Sequence, residues 1–298
     1  MKSPIRSGQL PCEAVQNRPI GVFDSGFGGL TVARALIDLL PRENLVYVGD
    51  TARYPYGPRD LNDVRDFSLE IAEWLVTNHN IKALVVACNT ASAAALDDLR
   101  SNLDIPVIGV IEPGVIAVAE ASERGRVGVI GTVGTVSSGA YQHAFAAHAP
   151  EIDLTIAACP GFVEFVERGE TDSDQVRVLA ERLLAPVKEA KVDSLLLGCT
   201  HYPFLARPIA DAMGREVVLV SSADETAFAV WRQLNEIGVT RSDLGGPAPE
   251  RRWVSSGDVA WFATMGRRLL GPELDDAESI VWPSHTTGEA GNLNGGTT

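Results

Sequence analysis

The sequence predicts an α/β protein built as two pseudo-symmetric halves, each a mainly parallel sheet flanked by helices, with a cleft between them. Three observations lead there. Strand-like and helix-like segments alternate along the chain, as parallel sheets require. Four strand-like segments recur later at a nearly constant separation, and one recurring pair ends in cysteine.

Gly21 in IGVFDSG has its counterpart in Gly128 of VGVIGTVG, 107 residues on, and Leu45 in LVYVGD answers Leu154 in LTIAACP, 109 on. Cys88 closes an apolar run in LVVACNTASA and Cys199 closes one in LLLGCTHYP, 111 apart; Val107 in PVIGV answers Val217 in EVVLV, 110 on. Few letters are shared, so a pattern is repeated more than a sequence. Between the first strands, residues 29–40 place Leu30, Ala33, Leu36, Ile37 and Leu40 on one helical face. Residues 60–77 do the same with Leu61, Val64, Phe67, Ile71 and Leu75, opened by Asp60 as N-cap. Beyond Val220 come a helix over 224–238, the segment RRWVSSGD, and a helix from Val259 ended by Gly271. These elements lie outside the repeat and are expected to pack back on the first half. The predicted domains are 19–113 plus 223–272, and 114–222. Residues 1–18 and 273–298, rich in Gly, Asn, Thr, Ser and Pro, read as disordered tails.

Composition narrows the function. A chain of 298 residues, 45% apolar, can bury a sizeable core, and its longest apolar runs are strand-sized, too short to span a membrane. Lys2 and Arg6 are followed by no apolar signal core, so a cytoplasmic protein is expected. Four cysteines without framework spacing fit a reducing compartment. A net charge of −14 disfavours nucleic acid as a partner.

In parallel sheets, ligands bind beyond the carboxyl ends of the strands. The unusual clusters fall there: DSGFGG (24–29), GDTARYPYG (49–57) and CNT (88–90) in the first half, and GTVGT (131–135), CPGF (159–162) and CTHYP (199–203) in the second. Facing halves would set Cys88 and Cys199 on opposite sides of one cleft. A disulfide lacks both C-x-x-C spacing and an oxidising compartment. Structural zinc needs about four ligands, and Cys88, Cys159, Cys199 and His201 have no finger spacing. Inert core packing is common for free cysteine, but here each thiol precedes polar residues at an expected helix start, where N–H groups and the helix dipole lower a thiol's pKa. The chemistry that needs two opposed acid–base groups is proton transfer at a stereocentre, one base on each face. The same helix starts, with the hydroxyls of Thr90 and Thr200, would receive a carboxylate, so the expected substrate is an acid with an activated C–H. IGVFDSGFGG also suggests a dinucleotide fingerprint, but Thr31 stands where the third glycine belongs and Asp24 would face a pyrophosphate.

These residues resemble a known family. GVFDSGFGGLTV (21–32), GDTARYPYGPR (49–59), ACNTASA (87–93), VGVIGTVGTVSSGAY (127–141), ACPGFVEFVERG (158–169) and LGCTHYPFL (197–205) are similar to the ordered motifs of the glutamate racemase family, within the aspartate/glutamate racemase superfamily. The resemblance covers about residues 19–271. It implies two pseudo-symmetric α/β domains, no cofactor or metal, and interconversion of L- and D-glutamate for peptidoglycan synthesis. By the same resemblance, Cys88 acts on D-glutamate with Asp24 assisting, Cys199 acts on L-glutamate with His201 assisting, and Glu167 is a further acidic residue near the second thiol. Ser25, Tyr56, Gly57, Asn89, Thr90, Thr200 and His201, together with Asp24, match substrate-holding positions, Tyr56 and Gly57 through backbone N–H groups. Thr132 or Thr135 joins them. Gly161 and Glu164 depart from the family's pattern, which bears on local loop shape.

Each residue also has a plainer explanation. Asp24 and Ser25 would cap the helix from Gly28, His201 would be a satisfied turn histidine, and Pro55, Tyr56 and Gly57 an ordinary turn. Glu167 would be a solvated helix charge, and Cys159 reads as packing. Competing functions are an aspartate racemase, a related two-cysteine isomerase, or a non-catalytic ligand clamp. A homodimer is compatible with the sequence, which does not fix the oligomeric state.

Overall fold

The computed structural model describes residues 12–241 and 247–283. Among the described residues, ten strands form two sheets. The first holds β1 (Ile20–Asp24), β2 (Leu45–Gly49), β3 (Ala83–Val86), β4 (Val107–Gly109), β9 (Arg251–Ser255) and β10 (Glu278–Ser279) in the order β10-β9-β2-β1-β3-β4. The second holds β5 (Arg126–Gly131), β6 (Asp153–Ala158), β7 (Ser194–Gly198) and β8 (Val218–Val220) in the order β6-β5-β7-β8. Every pairing is parallel. The four repeated strands thus appear in the same spatial order in both sheets, which is the structural form of the repeat.

Strands β1, β2 and β7 are buried along their whole length, as parallel strands covered by helices on both faces must be. Ile20, Val22, Phe23, Leu195 and Leu196 are completely enclosed, and side chains of this size contribute about 1.5–3 kcal/mol each on burial. The helix Leu61–His79 begins where the sequence placed it, with Asp60 Oδ1 accepting from Asn62 N at 2.8 Å. Helix Ala223–Glu236 packs on helix Leu30–Leu39, and β9 extends the first sheet beside β2. The elements outside the repeat therefore return to the first half.

The expected disordered tails require correction within the described residues. Cys12–Gln16 is helical, and the Gln16 carbonyl accepts from Lys82 Nζ at 2.8 Å. Lys82 is buried beside Glu43 and needs acceptors for its remaining protons. At the other end, β10 pairs with β9, Ile280 is buried, and Trp282 reaches Asp50. Apolar Ile280 and Trp282 inside a polar stretch give this segment something to bury. Residues 1–11 and 284–298 of the expected tails lie outside the described residues.

Each sheet places its second strand on one side of its first strand and its third on the other. Such a reversal leaves a crevice at the carboxyl ends of the first and third strands. In the first sheet those ends carry Asp24 and Cys88; in the second they carry Thr132 and Cys199.

Candidate active site

Asp24, completely buried at the end of β1, is held by three donors. Its Oδ1 accepts from Gly26 N at 2.7 Å and from Ser25 Oγ at 3.2 Å, and its Oδ2 accepts from Thr200 Oγ1 at 2.9 Å. On the adjacent strand Ala87 N donates to Phe23 O at 2.9 Å, which fixes Cys88 next to this carboxylate. Cys88 is the N-cap of helix Asn89–Asn102: Ala91 N donates to its Sγ at 3.5 Å, and the thiol faces Ser25 Oγ at 3.9 Å. The helix start does not dominate this thiol, as its sequence position suggested. Burial first, and the charge of Asp24 second, push Cys88 up to about 12, against the smaller pull of the Ala91 N–H. Cys88 rests as a thiol.

The second thiol has a different neighbour. Cys199 is followed by Thr200 and His201 and then by the short 3-10 turn Tyr202–Leu205, so no α-helix starts directly at it. His201 Nδ1 lies 4.0 Å from Cys199 Sγ, and His201 Nε2 is bonded to Glu167 Oε1 at 2.7 Å. Burial pulls the imidazole pKa down, but the bonds to Cys199 and Glu167 outweigh it and raise His201 to about 10. Glu167 sits at the end of helix Phe162–Glu167, whose N-cap Gly161 has a φ of 91°. That left-handed conformation suits glycine and explains one departure from the family pattern. Glu164 is exposed on the same helix, leaving Glu167 directed at His201.

The walls close tightly across the cleft. Thr90 Oγ1 is 3.0 Å from Thr132 Oγ1 and 3.1 Å from Thr135 Oγ1, and the latter two are 3.0 Å apart. Gly57 O accepts from Gly134 N at 2.9 Å, and a Cβ on Gly57 would stand 2.8 Å from Thr132 Cβ. A Cβ on Gly28 would stand 2.6 Å from Thr200 Oγ1 and 2.7 Å from His201 Nδ1. The two halves meet at backbone distance, and Cys88 and Cys199 are only 5% and 7% exposed. A cavity of about 60 Å³ is lined by Pro55, Gly57, Thr132, Cys159 and Glu164 among others. A larger hollow of about 400 Å³, beside Ser92, Glu112 and His143, contains neither thiol. The smaller one is likewise lined by neither Cys88 nor Cys199, but it includes Gly57 and Thr132, which meet across the cleft.

Of the residues predicted from sequence, Asp24, Ser25, Cys88, Thr200, Cys199, His201 and Glu167 form one connected cluster. Asn89 is buried beside it; its Nδ2 donates to Tyr141 OH at 2.9 Å, and its Oδ1 has no protein partner. Tyr56 is buried with its hydroxyl on Asp50, which leaves the main chain of Tyr56–Gly57 at the cleft. Both Thr132 and Thr135 reach Thr90; Thr132 alone of the two also lines the cavity. Cys159 is core, its carbonyl accepting from Tyr202 OH at 3.1 Å, and burial pushes its thiol up to about 12. Tyr54 and Tyr141 were missed. Tyr54 lies against His201 with ring centroids 5.9 Å apart, after burial and the Glu167 charge push its phenol above the usual range. The only sequence signal for them was their place inside the motifs. Among the described residues no group of three or more His, Cys, Asp or Glu is placed to hold a metal ion. No helix among them is long and apolar enough to cross a membrane.

Comparison with known proteins agrees with this architecture. The family of Asp/Glu/hydantoin racemases matches residues 20–230. The glutamate racemase of Acidothermus cellulolyticus is 54% identical over 266 residues, 89% of this chain and 100% of that protein. That of Mycobacterium tuberculosis is 50% identical over 262 residues, 88% of this chain and 96% of the relative. Among solved structures, glutamate racemase isoform RacE1 from Bacillus anthracis superimposes with a TM-score of 0.83 at 40% identity, covering 90% of this chain and 98% of that one. The Francisella tularensis enzyme in complex with D-glutamate gives 0.81 at 32% identity, with the same coverage. With both sheets, both thiol-bearing strand ends and most of the sequence accounted for, the chain belongs to the Asp/Glu/hydantoin racemase family.

Proposed function

We propose that this protein interconverts L- and D-glutamate by two-base proton transfer between Cys88 and Cys199. The observation that carries the proposal is the pair of thiols at equivalent strand ends, each with its own and chemically opposite helper. Asp24 beside Cys88 favours a neutral thiol, an acid. In this mechanism Cys199 serves as the base, with the His201 imidazole, bonded to Glu167, beside it as the partner that can exchange a proton. In this resting state Cys199 takes the α-proton of L-glutamate, and Cys88 delivers its own proton to the opposite face of the carbanion, giving D-glutamate. The product leaves Cys88 as thiolate and Cys199 as thiol, so the reverse reaction starts from D-glutamate at Cys88. The likeness to relatives named glutamate racemase, one of them in complex with D-glutamate, favours this substrate.

Holding the substrate falls to groups already in place. The N-terminus of helix Asn89–Asn102, with Thr90 and Thr200, receives the α-carboxylate and the charge that develops on it as the α-proton leaves. Asp24, Ser25 and the free Oδ1 of Asn89 suit the ammonium group. The main chain of Tyr56–Gly57 and one of Thr132 and Thr135 suit the other carboxylate. Residues 19–113 with 223–272, and 114–222, act as two domains that part to admit substrate and close to exclude water. The biological role is supply of D-glutamate for peptidoglycan in the cytoplasm. The acidic surface argues against direct nucleic-acid contact.

The test is incubation of the purified chain with L-glutamate, without added cofactor, followed by circular dichroism. Decay of the signal to zero supports the proposal; an unchanged signal refutes it.

A further inference from the structure

Asp50, at the carboxyl end of β2, carries more than an ordinary turn carboxylate. It is completely buried, and its main-chain N–H donates to Asp24 O at 2.9 Å. Oδ2 accepts from Arg53 Nε at 2.7 Å and from the Tyr56 hydroxyl. Oδ1 accepts from Ser256 Oγ at 2.7 Å and from Trp282 Nε1 at 2.7 Å. An ionised carboxylate has about four acceptor positions, and each is taken. Two donors belong to the 51–58 turn, one to the turn after β9, and one to the segment beyond β10.

Trp282 is placed for this contact by its neighbours. Ile280 N donates to Ser255 O at 3.0 Å, continuing the β9–β10 pairing, and Ile280 is buried. The Arg53 guanidinium lies between the Phe67 ring, at 4.3 Å, and the Trp282 ring, at 4.8 Å. The indole thus bonds the carboxylate and covers the arginine that also bonds it.

The turn held in this way has little slack at its far side. Gly57 O is bonded to Gly134 N of the other half, and Gly57 meets Thr132 with no room for a Cβ. A tilt of the Tyr56 ring is therefore transmitted to the main chain that faces the cleft. We propose that Trp282 is a positioning residue for the reaction: its indole N–H completes the donor set on Asp50 that fixes the Tyr56–Gly57 turn against substrate. The inference rests on the proposed role of that turn in holding glutamate. It assigns to a segment that reads as a disordered tail a part in substrate affinity, although Trp282 touches no substrate itself.

The experiment compares wild type, Trp282→Phe, Trp282→Ala and Ser256→Ala as full-length chains, measuring KM and kcat for L- and D-glutamate together with melting temperature. Trp282→Phe keeps a ring over Arg53 and removes only the donor; Ser256→Ala removes a second donor from the same oxygen. Both are expected to raise KM in each direction roughly five- to twentyfold, the scale of losing a hydrogen bond to a buried charge. They should leave kcat within about twofold, because the thiols are untouched. Trp282→Ala should show the same KM change and also melt lower. If Trp282→Phe has the wild-type KM while Trp282→Ala only melts lower, Trp282 is packing and the inference is overturned. If wild type fails to racemise glutamate, the proposed function itself fails and the inference goes with it.

Discussion

Thr200 Oγ1 donates to Asp24 Oδ2 at 2.9 Å, tying the residue after Cys199 in one half to the carboxylate beside Cys88 in the other. The bond lies in a buried cleft, where leaving a carboxylate oxygen unpaired is costly. The contact that joins the walls thus also fixes the carboxylate whose charge adds to burial in raising the Cys88 thiol.

Thr200→Val keeps the shape of the side chain and removes this donor. The expected loss is about 1–3 kcal/mol of stability, the cost of an unsatisfied buried acceptor, together with a raised KM if Thr200 holds the substrate as proposed. Urea unfolding and steady-state kinetics on the same preparation check both.

Asp24→Asn removes a charge that helps hold Cys88 up at about 12. Burial remains, so the thiol falls only part of the way back toward its ordinary value. Alkylation of Cys88 by iodoacetamide, followed by peptide mass mapping at pH 8, should speed up by roughly tenfold, as a one-unit fall in thiol pKa requires. An unchanged rate would remove Asp24 as the group that sets the Cys88 proton.

His201 gives the fold a definite pH dependence. Its folded pKa is raised to about 10 from an ordinary value of 6.5. The stability this contributes is fully present below about pH 6.5 and is lost as pH rises through about 10. Wild type should accordingly lose melting temperature between pH 7 and 10, and His201→Gln should show a shallower decline over the same window. Parallel curves would contradict the Glu167–His201–Cys199 arrangement.

Gly28→Ala tests the close approach of the walls. The added Cβ would stand 2.6 Å from Thr200 Oγ1 and 2.7 Å from His201 Nδ1, so both side chains must shift. A displacement of this size at the reacting groups is expected to lower kcat/KM roughly 100-fold, with far-ultraviolet circular dichroism unchanged.

The fold was legible where strand pattern and spacing repeat. The separations of Gly21 from Gly128 and of Cys88 from Cys199 anticipated two sheets of the same strand order. The cysteines, Asp24 and Thr200 were legible because they sit at strand ends, where parallel sheets expose residues to a crevice. What escaped depends on partners distant in sequence. Asp50 stood out only as part of the 49–57 cluster, because its donor Trp282 lies 232 residues away. The protonation of Cys88 was misjudged from its helix-start position, because burial and the approach of Asp24 are set by tertiary packing. Residues 12–18 and 273–283 read as tails since their polar composition conceals the few side chains that anchor them.

Hydrogen exchange at the α-carbon tests most directly whether two thiols work from opposite faces. L-glutamate is racemised in deuterium oxide by wild type, Cys88→Ala and Cys199→Ala, and the α-position is examined at early times in both enantiomers. Two bases predict deuterium in newly formed D-glutamate, almost none in remaining L-glutamate, and no racemisation by either variant. Deuterium entering both enantiomers equally at early times, or racemisation surviving the loss of one thiol, would contradict it.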